Sequence, residues 1–188
     1  MKKHFLTALC ALVASPALAH LPPEQHGSFM AGASHPLFGL DHIIAMIAVG
    51  VWAMQIGGKA VWAVPAGFVG AMALGFMGGI AALPLPLVEP MILASAVLIG
   101  LLASFAVKPG LAGGVAITAV FGLFHGHAHG AELGAAQALG FGVGFVIATA
   151  LLHAAGILAA RLTARALPYG PRLLGALATL MGLSLLIG

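Results

Sequence analysis

The chain has 188 residues, of which 62% are hydrophobic and 6% charged, with a mean hydropathy of +1.15. A soluble domain carries roughly a quarter charged residues; seven Lys+Arg and four Asp+Glu cannot coat a water-facing surface, so the class is an integral membrane protein, expected to be all-α from its apolar stretches of spanning length. The isoelectric point near 9.5 rests on few charges, and without a basic patch or an aromatic stacking pattern it does not indicate a nucleic-acid partner.

The first residues, MKKHFLTALCALVASPALAH, read as a signal peptide over 1–19. Lys2 and Lys3 precede an apolar stretch from Phe5 to about Ala14, and Ala17-Leu18-Ala19 forms a small-x-small cleavage site. That stretch is shorter than the roughly 20 residues a spanning helix needs. Cleavage after Ala19 is expected, with His20 left outside the cytoplasm; an uncleaved signal anchor is the alternative. Cys10 would leave with the peptide, so 20–188 is expected to form one transmembrane domain with neither disulfide nor thiolate ligand.

Spans are predicted at about 36–56, 60–82, 90–107, 110–129, 136–160 and 171–187, giving a six-helix bundle. Gly57-Gly58-Lys59, LPLPLVEP, Lys108-Pro109-Gly110, Gly130 to Gly134 and RALPYGP punctuate them. With an external mature N-terminus, the loops after spans one, three and five are cytoplasmic. They or the adjoining helix ends hold Lys59, Lys108, Arg161, Arg165 and Arg172, as the positive-inside rule asks. The carboxylates and most histidines then fall at the outer face.

The first span opens with SHPLFGLDHIIAM. Ser34 or His35 is expected to cap a helix whose first residue is Pro36. His35 and His42 share a face if His35 is helical, and Asp41 is offset about 100° from His42. Taken alone, Asp41 is an ordinary carboxylate at a positive helix N-terminus. A second polar cluster at the same depth argues for more. In FGLFHGHAHGAEL, His125, His129 and Glu132 stand at i, i+4 and i+7, one ridge if the helix runs through Gly130. His127 points away from it by roughly 160°. Gly126 and Gly130 are candidates for a backbone bend that exposes carbonyls to a cavity.

Imidazole and carboxylate without thiolate suit Ni²⁺, Co²⁺, Zn²⁺ or Cu²⁺, whereas Mg²⁺ and Ca²⁺ would take an oxygen-rich site. Ligand chemistry does not choose among the former. Glu89, before Pro90, is expected to cap span three, as a plain loop residue or as a charge partner of the histidines. His153 reads as a buried histidine bonded to a neighbouring helix, or else as an inner relay. His20 and His26 could add outer donors. In span two, Gly67, Gly70, Gly75 and Gly79 favour close helix packing, and the methionines form no spaced ladder and read as core. FGLDH (38–42) and FGLFH (121–125) are alike but open one helix and close another, so they do not demonstrate a repeat.

HPLFGLDHIIAMIAVGVWA followed by FGLFHGHAHGAEL, with a Glu-Pro step between, closely resembles the HupE/UreJ family of hydrogenase- and urease-accessory membrane proteins. The resemblance covers the whole chain after the signal peptide. It implies nickel uptake across the bacterial cytoplasmic membrane for hydrogenase or urease maturation, with His35, Asp41, His42, Glu89, His125, His129 and Glu132 as the metal-site positions. His127 falls at a variable position of the motif. Cobalt stays open as the cargo. No cofactor is expected to be permanently bound: Ni²⁺ is the transported ion, lipid the surroundings and a homo-oligomer the partner to test for. The chain has no HExxH and no phosphate-binding Gly-Lys-Ser/Thr loop, so neither zinc-protease chemistry nor nucleotide hydrolysis is expected. An intramembrane metalloenzyme and a non-transporting sensor or assembly factor are the rival readings. Because only neutral imidazole binds metal, uptake should weaken as pH falls through roughly 6.5; uptake undiminished at pH 5 would count against imidazole ligation.

Overall fold

A computed structural model describes residues 29–133 and 138–187. The expected signal peptide, Cys10, His20 and His26 lie outside the described residues. Those described are helical, with no strand among them. α1 (Phe29–Ser34) leads through a 3-10 turn (His35–Leu37) to α2 (Leu40–Ile56). α3 (Ala60–Ile80), α4 (Val88–Ser104), α5 (Gly110–Leu133), α6 (Ala138–Ala166) and α7 (Gly170–Ile187) follow. α2 is the axial helix. The others close a ring around it in the order α3, α5, α4, α7, α6 and back to α3, while α1 lies on α6.

Helices α3, α5, α6 and α7 are each long and apolar enough to cross a membrane, and α1 with α2 would form a fifth span bent by 81°. α4, an apolar helix of 17 residues, is about 26 Å long at the rise of an α-helix. Of the six spans expected from hydropathy, four are thus helices long enough to cross, the first is a bent pair that would make a fifth, and the third is a shorter apolar helix. The first differs most from expectation. Pro36 lies in a helical turn, but that turn is 3-10 and begins at His35, and the α-helix starts only at Leu40 after an extended Gly39. Ser34 caps nothing: its hydroxyl donates back to Ala31 O at 3.2 Å.

Glycine decides how the helices meet. A Cβ on Gly122, Gly126 or Gly130 of α5 would collide with the backbone of Phe68, Met72 or Phe76 in α3. Gly75 and Gly79 of α3 abut the α5 backbone at Leu123 and His127 in the same way. Small residues at four-residue spacing let the two backbones touch, which is how helices associate where no hydrophobic force separates them from lipid. Gly126 and Gly130 therefore do not bend α5, as their sequence context suggested. The helix runs unbroken to Leu133, beyond the end predicted at 129. Gly75 and Gly79 pack as expected, but Gly70 faces open space. Gly50 and Gly156 join α2 to α6 by the same kind of contact. Met46 and Met72 are core, whereas Met77 and Met181 are exposed among the outward-facing leucines.

At the end where α2, α4 and α6 finish, Trp52 Nε1–H donates to Val107 O and Gln55 Nε2–H to Ala103 O, both at 2.8 Å. Lys59, Lys108, Arg161, Arg165 and Arg172 are exposed at this end. His35, Asp41, Glu89, His129 and Glu132 lie at the opposite end. The bundle is polarised, basic at one end and His/carboxylate at the other.

Overpacking a tight core costs about 1–3 kcal/mol. Gly126→Ala should therefore lower the thermal unfolding midpoint of the solubilised protein by several degrees. Gly70→Ala, which adds a methyl to open space and improves helix propensity by about 1 kcal/mol, should leave it equal or higher. Equal midpoints for both variants would remove the glycine contact as the organising feature.

Candidate metal centre

The N-terminus of α2 is built around a folded-back pair. Asp41 Oδ1 accepts from His42 Nδ1 at 2.9 Å, and a Cβ at Gly39 would lie 2.8 Å from that oxygen and 3.0 Å from that nitrogen. Glycine is needed at 39 because the pair occupies the side-chain space. With Nδ1–H held by the carboxylate, His42 presents the lone pair of Nε2, the arrangement by which an outer carboxylate orients and strengthens a ligating imidazole.

His42 Nε2 meets His129 Nε2 at 2.7 Å. One nitrogen must donate, and since that of His42 is the acceptor, His129 supplies the proton. His129 Nδ1 then carries a bare lone pair, buried without a hydrogen-bond partner, and faces Glu132 Oε2 at 3.6 Å. Two electron-rich atoms opposed at that distance call for a cation between them, either a proton or a metal ion. Donor atoms of His35, His129 and Glu132 lie within 4.8 Å of one another. The His35 ring packs edge-on against His129 at 4.4 Å between centroids, despite the break in the helix between His35 and His42. Phe145 closes on His129 at 4.7 Å and Phe141 on His35 at 5.6 Å, so α6 supplies an aromatic wall.

Burial deepens along this row. Glu132 is exposed, His35 and Asp41 are partly covered, His42 and His129 are buried, and His125 is fully enclosed. His125, one turn below His129, packs against His42 at 4.8 Å and at right angles. Its Nε2 lies 2.9 Å from Ser95 Oγ, and that hydroxyl lies 2.5 Å from Ile92 O. The carbonyl can only accept, so the serine proton goes to it and the serine oxygen accepts Nε2–H from His125. His153 donates Nδ1–H to Met46 O at 2.8 Å, the bond to a neighbouring helix anticipated for it. His125 Nδ1 and His153 Nε2 remain buried without partners, where an unsatisfied polar atom costs about 1–3 kcal/mol.

The ridge of His125, His129 and Glu132 thus forms, and the structure adds His35, Asp41 and His42 to it. Glu89 does not join. It is exposed within the first turn of α4, and Leu87, with a left-handed backbone and no side-chain capping bond, precedes that helix in place of the expected glutamate cap. His127 turns the other way and donates from Nε2 to Leu83 O at 2.7 Å, tying down the link between α3 and α4. Sequence reasoning missed Ser95, Phe141 and Phe145. Ser95 had a signal, as the only polar side chain in the interior of an otherwise apolar α4; the two phenylalanines had none.

If Asp41 acts by orienting His42, Asp41→Ala should weaken Ni²⁺ binding about 10- to 100-fold. Asp41→Asn, whose amide oxygen can still accept from Nδ1–H, should weaken it less. Equilibrium dialysis with the solubilised protein measures both, and equal losses would mean that the negative charge alone matters.

The sequence pattern of the family described as HupE / UreJ protein matches residues 7–185. Protein HupE of Rhizobium leguminosarum bv. viciae is 42% identical over 191 residues, covering 100% of both chains. No solved structure matches. With a family match over nearly its whole length and this relative end to end, the chain belongs to the HupE/UreJ family.

Proposed function

We propose that this protein is a nickel permease that takes up Ni²⁺ across the bacterial cytoplasmic membrane for hydrogenase or urease maturation. The observation that carries the reading is the convergence of His35, His129 and Glu132 on one point at the open end of a row of histidines that leads into the bundle. Family membership supports an accessory role in metal-enzyme assembly, and the borderline nitrogen/oxygen donor set suits Ni²⁺ or Co²⁺. In this reading the chain after residue 19 is one permease domain of six crossings, with its first end periplasmic and its basic end cytoplasmic.

Ni²⁺ exchanges part of its water shell for His129 Nδ1, a His35 nitrogen and Glu132. His42 and Asp41 hold His129 in its tautomer from behind, and Asp41, Glu132 and the more distant Glu89 offset the charge. Inward movement is favoured by the membrane potential, at about 2.3 kcal/mol per charge per 100 mV. The carboxylates stay at the mouth, so the ion is collected there and released inward.

Saturable ⁶³Ni²⁺ uptake into proteoliposomes should be abolished by His129→Ala and reduced at least tenfold by Glu132→Gln, with Co²⁺ competing better than Mg²⁺. A wild-type protein that binds Ni²⁺ but moves none would replace the permease with a sensor or an enzyme.

A further inference from the structure

Below the mouth the bundle holds a second pair of nitrogen donors, neither of which pairs with a carboxylate among the described residues. His125 and His153 come from α5 and α6, and both pack on the buried ring of Phe68, at 5.4 and 5.1 Å between centroids. Each is almost wholly enclosed. Each has one nitrogen held as a donor, by Ser95 Oγ and by Met46 O respectively, and the other left as a bare lone pair. A histidine kept only for packing would gain by satisfying both nitrogens. Two that each expose one oriented lone pair inside an apolar bundle have the outer support typical of metal ligands.

We propose that His125 Nδ1 and His153 Nε2 form an inner station for a borderline transition-metal dication, both beside Phe68 and one step below the mouth. The proposal rests on the permease reading and extends it to the path. The chemistry of the two levels differs in the direction transport requires. The mouth offers carboxylates and can hold the ion. The inner pair offers two neutral nitrogens and leaves the charge uncompensated, so the ion enters but does not stay, as conduction demands. Hard cations such as Mg²⁺ prefer an all-oxygen shell, which this pair of nitrogens does not supply.

The test uses substitutions that keep each supporting bond and remove only the bare nitrogen. In His153→Asn the amide can still donate to Met46 O, and in His125→Gln it can still donate to Ser95 Oγ. In the full-length protein both variants should transport Ni²⁺ at least tenfold more slowly, and His153→Asn should still bind it within about twofold of wild type. Flux within twofold of wild type in both would overturn the proposal. A second measurement does not depend on transport. In a His35→Ala/Glu132→Gln background, X-ray absorption with Co²⁺ should reveal a weaker, nitrogen-ligated site that is lost when His125→Gln and His153→Asn are added. Absence of any such residual site would also overturn it, whereas a wild type that binds but transports nothing would sink the permease reading and leave this measurement decisive for the inner site.

Discussion

The backbone-to-backbone contact between α3 and α5 is the constraint from which the candidate site follows. Gly122, Gly126 and Gly130 each come one residue after Phe121, His125 and His129. A step of one residue turns about 100° around a helix. When the glycine face is pressed against α3, the histidine face is turned into the bundle towards α2 and α6. A side chain larger than hydrogen on the glycine face would force the helices apart and release the rotation of α5, and with it the aim of both imidazoles. Glycine here fixes orientation; its usual association with flexibility is misleading in this segment.

The second organising element is the set of acceptors that assign one proton to each imidazole. A carboxylate, a serine hydroxyl and a backbone carbonyl hold His42, His125 and His153. In a low-dielectric interior these bonds are strong and unpaired atoms are costly, so the tautomers are well determined. The row of histidines is therefore a directional arrangement of donors and lone pairs, graded from the exposed Glu132 to the enclosed His153.

Much of this was legible beforehand. The i, i+4, i+7 spacing identified the ridge on α5, small residues identified the packing face of α3, and the positions of five basic residues anticipated the polarity of the bundle. What was hidden depends on tertiary contacts. Met46 O is 107 residues from His153, and nothing in either neighbourhood announces the bond. The bend between α1 and α2 was invisible to hydropathy because both sides are apolar. Glu89 was legible only as a residue at the same end of the bundle: it is exposed in the first turn of α4, outside the group formed by His35, His129 and Glu132.

The axial placement of α2 has a consequence for how the protein is made. α2 is the first of the long helices in chain order, yet its ring of neighbours is completed only by α7, which contacts both α4 and α6. Asp41, His42, Trp52 and Gln55 find their bonding partners within α2, at the end of α4 and on α5, but the side of α2 that faces α7 stays open until the last helix has been synthesised. A chain stalled before α7 would leave one flank of its axial helix open to lipid or to quality-control proteases.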